Sequence, residues 1–230
     1  MGRLLKKRYP KEGDKTRNIL RLIGEKLILQ EAIEPYVVLI AGERATSFAA
    51  DIVNVFLNVT NRGAIETIFL NGQKKRHELD KEIVRLLSKE SKTVILDGVD
   101  KLRGDTPLSL HSVCDPDHSP FSSALILLTI NRPLGAVNSQ CEITVSSLLA
   151  DEWQSEYMNK DRISPILSRI TSYTINAHLY YIPVYLDALI RIVPICGTSK
   201  SDDGRFRGIA DIRFGSSIIT GCLIEVFIDF

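Results

Sequence analysis

Between residues 34 and 130, short, wholly apolar runs alternate with segments whose apolar residues recur every three or four positions, and no other feature of the chain narrows its fold as much. The first run is Tyr36-Val37-Val38-Leu39-Ile40-Ala41, ending at Gly42. Residues 65–70 form a second, closed by Asn71-Gly72; Thr93-Val94-Ile95-Leu96-Asp97 is a third; and residues 124–130, the most hydrophobic, are a fourth. A strand that is apolar at every position is buried on both faces. Between the runs, Phe48, Ile52, Val53, Phe56 and Leu57 fall on one face of a helix over 46–61, and Leu79, Ile83, Leu86 and Leu87 do the same over 75–89. A leading amphipathic helix over 15–31 carries Ile19, Leu20, Leu22, Ile23, Leu27 and Ile28 before Pro35 stops the pattern; residues 143–158 and 163–170 read as two further helices. Doubly buried strands joined by crossover helices predict an α/β fold, a mostly parallel sheet with helices on both sides.

The 230 residues are 44% hydrophobic, enough to bury one good core. A formal net charge of +1 gives no global field toward nucleic acid or an anionic membrane. The basic excess is local, in Arg3, Lys6, Lys7, Arg8, Lys11, Lys15, Arg17 and Arg21. With no aromatic interleaving beyond Tyr9 it reads as a solvated arm, so no nucleic-acid partner is expected. Cys114, Cys141, Cys196 and Cys222 are widely spaced and make no metal-binding pattern, and His77, His111, His118 and His178 are scattered. Neither a G-x-S-x-G elbow nor an H-E-x-x-H pair is present. No apolar run follows the first basic residues, which predicts no signal peptide there. The longest apolar stretch, 179–197, contains Asp187 and Arg191, each costing ~2.5–3.5 kcal/mol near the centre of a membrane span, together with Pro183 and Pro194. It is therefore not read as a span.

In an α/β ATPase the first strand runs into a glycine-rich loop whose amides cradle phosphates and whose lysine reaches the terminal ones. Here that place reads Gly42-Glu43-Arg44-Ala45-Thr46-Ser47, with no second glycine, no lysine, and a carboxylate facing any phosphate. The simpler reading is a strand-to-helix turn with Thr46 or Ser47 as the helix N-cap. Asp97 and Asp100 follow the third strand as a magnesium-orienting carboxylate would, and Asn131 follows the fourth like a polar sensor residue. Each is equally a polar turn residue ending a strand. The cluster Cys114-Asp115-Pro116-Asp117-His118 describes a turn more economically than a Cys/His nucleophile.

Three stretches resemble the lumenal domain of the torsin activators, the family of lamina-associated polypeptide 1 and its endoplasmic-reticulum relative. One is residues 33–41 followed by Arg44. Another is His111-Ser112-Val113-Cys114-Asp115 with His118, Phe121 and the apolar run after them. The most specific is the late helix, where Met158, Asp161 and Leu167-Ser168-Arg169-Ile170 recur with the family's spacing. The resemblance implies an AAA+-like domain without a nucleotide-binding loop, needing no cofactor of its own. Such a domain docks beside a torsin-family AAA+ ATPase that binds the ATP, and Arg169 is the arginine finger acting in trans. It also implies residence in the endoplasmic reticulum lumen or the perinuclear space of the nuclear envelope, and a full-length form anchored by a transmembrane helix. Ile52 stands where family members can carry a disulfide cysteine, and residues 178–230 match no motif of the family.

The expected organisation is thus a basic arm with its leading helix over 1–31, an activator domain over 32–177 and an atypical tail over 178–230. The expected function is non-catalytic activation of the partner ATPase. Two alternatives remain open: a degenerate nucleotide-binding enzyme using Asp97 and Asp100, and a structural adaptor of the nuclear envelope. Asn58-Val59-Thr60 is an N-glycosylation acceptor sequence compatible with the lumen.

Overall fold

The computed structural model describes residues 14–29, 34–60, 65–134, 141–177, 212–214 and 217–219. Residues 9–181 belong to one compact unit. Its described elements are α1 (Asp14–Leu29), β1 (Tyr36–Ala41), α2 (Ala45–Thr60), β2 (Glu66–Phe69), α3 (Arg76–Leu87), β3 (Thr93–Asp97), α4 (Ser109–Val113), β4 (Leu125–Ile130), α5 (Cys141–Trp153), α6 (Lys160–Ile170) and β5 (Thr174–Asn176). The other unit, residues 1–8 with 182–230, is described only as the antiparallel pair β6 (Ile212–Phe214) and β7 (Ser217–Ile219). Of the proposed basic arm, residues 1–13 lie outside the described residues, while Lys15, Arg17 and Arg21 are on α1; Cys196, Cys222, the apolar stretch 179–197 and nearly all of the tail also lie outside them.

The five strands of the larger unit form one parallel sheet in the order β2-β3-β4-β1-β5. The expected α/β class and parallel sheet are present. The fifth strand, Thr174–Asn176, escaped the sequence reading because three residues are too few to show a period. The helix read over 143–158 ends instead at Trp153, and Ser155 and Met158 close a tight turn leading to α6.

Alternation along the central strands divides the core in two. Val37, Leu39 and Ala41 of β1 join Ile126, Leu128 and Ile130 of β4 and Val94 and Leu96 of β3, and pack with buried residues of α3, α4, α5 and α6. The intervening residues, Val38, Ile40, Ile95 and Leu127, are equally buried. Their face is covered by α2, which touches β1, β3 and β4, with α1 against α2 and β5. Ile19, Leu20 and Ile23 of α1 and Phe48, Ile52, Val53 and Phe56 of α2 supply that second layer. Ile52 is wholly buried apolar packing, and Cys114 and Cys141 are free thiols. Among the described residues no helix is long and apolar enough to cross a membrane.

Gly42 is where the sheet tolerates least change. Its amide bonds to the Ile130 carbonyl at 2.9 Å and its carbonyl accepts from Ala45, so the chain leaves β1 and enters α2 through residues 42–44 alone. The backbone of Ala177 lies against it, held by a bond from its amide to the Ala41 carbonyl at 2.8 Å. A Cβ at position 42, where φ is +141°, would sit 2.1 Å from the Ala177 oxygen. Gly42→Ala is therefore expected to destabilise the unit by about 3 kcal/mol or more, from backbone strain and displacement of the segment after β5. The urea midpoint measures this, and a loss below about 1 kcal/mol would remove Gly42 from its structural role.

Candidate functional site

Two polar clusters stand at opposite ends of the parallel sheet. The first lies at the carboxyl ends of the strands, the crevice where open α/β sheets usually hold their ligands. Asp97 ends β3, Thr129 sits on β4 beside it, and Asn131 follows β4. Thr46, in the first turn of α2, points into the same place. One oxygen of Asp97, Oδ1, accepts from the Thr46 and Thr129 hydroxyls and from the Asn131 amide. Asn131 Oδ1 accepts from the Thr46 backbone amide at 3.0 Å and lies 2.8 Å from the Thr46 hydroxyl, whose single proton it shares with Asp97.

An early amide of α2, the kind of donor a bound phosphate would take, is therefore already occupied by a side chain 85 residues away. The expected cap is corrected here: α2 begins at Ala45, Thr46 lies inside the first turn, and Asn131 satisfies its amide. Thr46 sits at the edge of the buried face of α2, beside Ala49 and Val53 at helical spacing. The sequence reading named Asp97 and Asn131 separately as strand ends. It missed that they share Thr46 and Thr129.

Asp100 does not join this cluster. It faces Arg132, with Nε and Oδ2 3.8 Å apart, and Arg132 and Arg103 both pair with Glu152 of α5 at 2.9 Å. Trp153, the next residue of α5, donates from its indole nitrogen to the Val99 carbonyl at 3.0 Å. Asp100 thus belongs to the seam between the segment after β3 and α5.

The second cluster lies at the amino ends of β1 and β5. Residues 114–118 form the expected turn. Asp115 Oδ1 accepts the backbone amides of Asp117 at 3.0 Å and His118 at 3.1 Å, an Asx turn that places the carboxylate beneath its own loop. The His118 ring is largely exposed, its Nδ1 3.5 Å from the same oxygen. Asp115 Oδ2 is paired with Arg169 Nη2 at 2.8 Å, while Arg169 Nη1 donates to the Pro165 carbonyl at 2.9 Å. Asn159 caps the start of α6 by accepting the Arg162 amide at 3.1 Å, and the cation of Arg169 falls in the last turn, where the helix dipole favours it. The Arg169 side chain retains 23% of its exposure.

Glu34, Pro35 and Tyr36 before and in β1, Cys114 and Asp115 in the turn, and Arg169 on α6 line one cleft of about 410 Å³. The three stretches that carry the family resemblance meet there. Met158 is wholly buried in the core beneath α6, Phe121 packs on that core, and Asp161 is exposed in the first turn of the helix. Asn58 lies in the last turn of α2. The pairing of Asp115 with Arg169 was invisible in sequence, since 54 positions separate them.

Burial pushes the Cys114 thiol up to about 12, only partly offset by the nearby Arg169 charge. At neutral pH it is a protonated packing group, which makes nucleophilic chemistry at Cys114 unfavourable. For Asp115, burial acts to raise the carboxyl, but the amides of Asp117 and His118 and the Arg169 guanidinium outweigh it and hold it at about 2. Asp115, Asp117 and His118 also bring oxygen and nitrogen atoms near one another. The Arg169 charge on Asp115 works against a cation there.

Because the folded value of Asp115 lies below the ordinary 3.8, ionised Asp115 stabilises the fold fully above 3.8, and this contribution is lost as pH falls toward about 2. Asp115→Asn is expected to lower the thermal midpoint at neutral pH, with the gap to wild type shrinking through that acid window. A gap that stays constant between pH 6 and ~2 would show that the ionised pair adds no stability.

No known family model and no curated protein matches the chain.

Proposed function

We propose that this protein is a non-catalytic activator of a torsin-type AAA+ ATPase, docking beside the ATPase subunit through an AAA+-like domain and presenting Arg169 to the ATP bound by that partner. The observation that carries the reading is the cleft. The run into β1, the Cys-Asp-His turn and the Ser168-Arg169-Ile170 string are the three stretches resembling torsin activators, and they converge around a single guanidinium. The rest of the proposal follows the same resemblance: residence in the endoplasmic reticulum lumen or perinuclear space, and a membrane-anchored full-length form.

Physical chemistry supports the division of labour. Phosphoryl transfer spreads negative charge over the γ-phosphate, and an arginine supplied in trans accelerates it by roughly 10³–10⁵. Arginine offers a planar, permanently charged fork for this. Meanwhile the carboxyl end of this sheet spends its polar groups on one another: Thr46, Asp97, Thr129 and Asn131 are mutually bonded, and residues 42–44 are too few to wrap a phosphate. A domain with its own crevice tied shut and an arginine at the opposite end suits a one-way activator.

Replacing Arg169 with Ala is expected to abolish stimulation of the partner's ATP turnover at saturating activator, a loss of roughly 4 kcal/mol or more for a thousandfold rate. Lysine is not expected to rescue it, because a point charge on a flexible stem does not reproduce the fork. Binding to an ATP-trapped partner is to be measured alongside. Wild-type stimulation by Arg169→Ala would sink the proposal, and equal loss of binding and turnover would make Arg169 an interface residue of an adaptor.

One observation favours a second reading, a degenerate nucleotide-binding enzyme. The contact between Thr46 at the start of α2 and Asp97 at the end of β3 unites the two residue types that hold magnesium in phosphate-loop enzymes. Titration of the chain with a fluorescent ATP analogue separates the readings. The activator reading expects no saturable, magnesium-dependent binding; such binding, lost in Asp97→Asn, would establish the second.

A further inference from the structure

The Arg169 guanidinium is pinned at two corners by two different parts of the chain. Nη2 is held by Asp115 in the loop ahead of β4, and Nη1 by the Pro165 carbonyl one turn back on its own helix. Two acceptors on two corners fix the plane of the group as well as its position. The carboxylate that does this is itself immobilised, its other oxygen taking two backbone amides of a tight turn. Asp115 is 7% exposed, so the pair is shielded from the screening that makes surface ion pairs weak. Of the five guanidinium N–H groups, two are spent on these bonds and Nε–H is buried without a partner. The remaining two belong to Nη1 and Nη2 and are the donors left for a ligand.

We propose that Asp115 is a positioning residue for Arg169: its carboxylate aims the guanidinium at the cleft mouth and holds it there before the partner arrives. This rests on the reading of Arg169 as a finger and adds a sign that the reading alone does not supply. A carboxylate beside a cation partly cancels its charge, so a finger acting by charge alone would work better without Asp115. A finger whose rate contribution depends on pre-set geometry would work worse, because interactions made before the reaction cost no reorganisation during it. A latch that held Arg169 away from the partner would also predict a gain on removing Asp115. The two bonded corners and the immobilised carboxylate favour aiming.

Asp115→Asn tests this in the full chain, since asparagine keeps its one oxygen for the amides of Asp117 and His118 and turns an NH2 donor, in place of an accepting oxygen, toward Arg169. With the partner ATPase and ATP, the variant is expected to lower maximal stimulation at least tenfold while the activator concentration for half-maximal effect changes less than threefold. Combined with Arg169→Ala it is expected to add nothing. Asp115→Glu, which restores the charge on a longer stem, is expected to recover part of the loss, and it replaces the asparagine variant should that one not fold. Without any partner, the buried Arg169 Nε–H of the wild-type protein is expected to give a slowly exchanging resonance in ¹⁵N-edited NMR, and Asp115→Asn to speed its exchange at least tenfold. Equal or greater stimulation by Asp115→Asn, an effect multiplying with that of Arg169→Ala, or an unchanged Nε–H exchange rate each overturns the positioning role. If Arg169→Ala abolishes stimulation while Asp115→Asn does not, only this inference fails; if Arg169→Ala stimulates normally, the finger reading falls and the inference with it.

Discussion

The pairing of β1 with β4 is the constraint on which the remaining structure depends. Six residues of β1, every one buried, run parallel to six of β4 in a register from Tyr36–Leu125 to Ala41–Ile130. A parallel pair buried on both faces leaves its backbone no water to bond to, so neighbouring strands and covering helices must complete it. β3 closes one side of β4, β5 closes the other side of β1, and two helical layers cover the faces. Because all five strands point the same way, the sheet has two chemically distinct ends, and each collects loops that are remote in sequence.

Those two ends have opposite characters. At the carboxyl end the polar residues turn inward, and Asp97 gathers three donors on one oxygen while Gly42 and Ala177 press backbone against backbone. At the amino end the polar groups are satisfied just enough to be held. Asp115 is fully engaged, whereas Arg169 keeps donors and part of its surface. The first arrangement stabilises a fold and the second presents a group. Open α/β sheets ordinarily bind at their carboxyl end, whereas the proposed finger here lies at the other.

The Asp115–Arg169 pair also couples local chemistry to packing. The carboxylate is ionised because of its turn amides and the guanidinium, and the turn exists because Pro116 and the short polar residues favour it. The guanidinium is placed by α6, whose buried face of Ile163, Ile166 and Ile170 locks that helix onto the core. The proposed activity therefore draws on the stability of the whole unit, since loosening α6 would misplace the cation without touching it.

The periodicities decided a good deal on their own. Four of the five strands, the helices between them and the α/β class follow from apolar runs bounded by glycine, asparagine and proline, because double-sided burial leaves a continuous hydrophobic signature. The turn at Cys114–His118 was legible for a similar local reason: short polar side chains beside a proline bond their own backbone. Other features were not legible. The strand order, the three-residue β5, the union of Thr46 with Asp97, Thr129 and Asn131, and the pairing of Asp115 with Arg169 were decided only by the tertiary structure. The side-chain pairings join residues 32–85 positions apart, and β5 is too short to carry a period, as the 85 residues between Thr46 and Asn131 and the 54 between Asp115 and Arg169 illustrate. Local propensity acts over a few residues, whereas these contacts exist only because the parallel sheet brings its strand ends side by side.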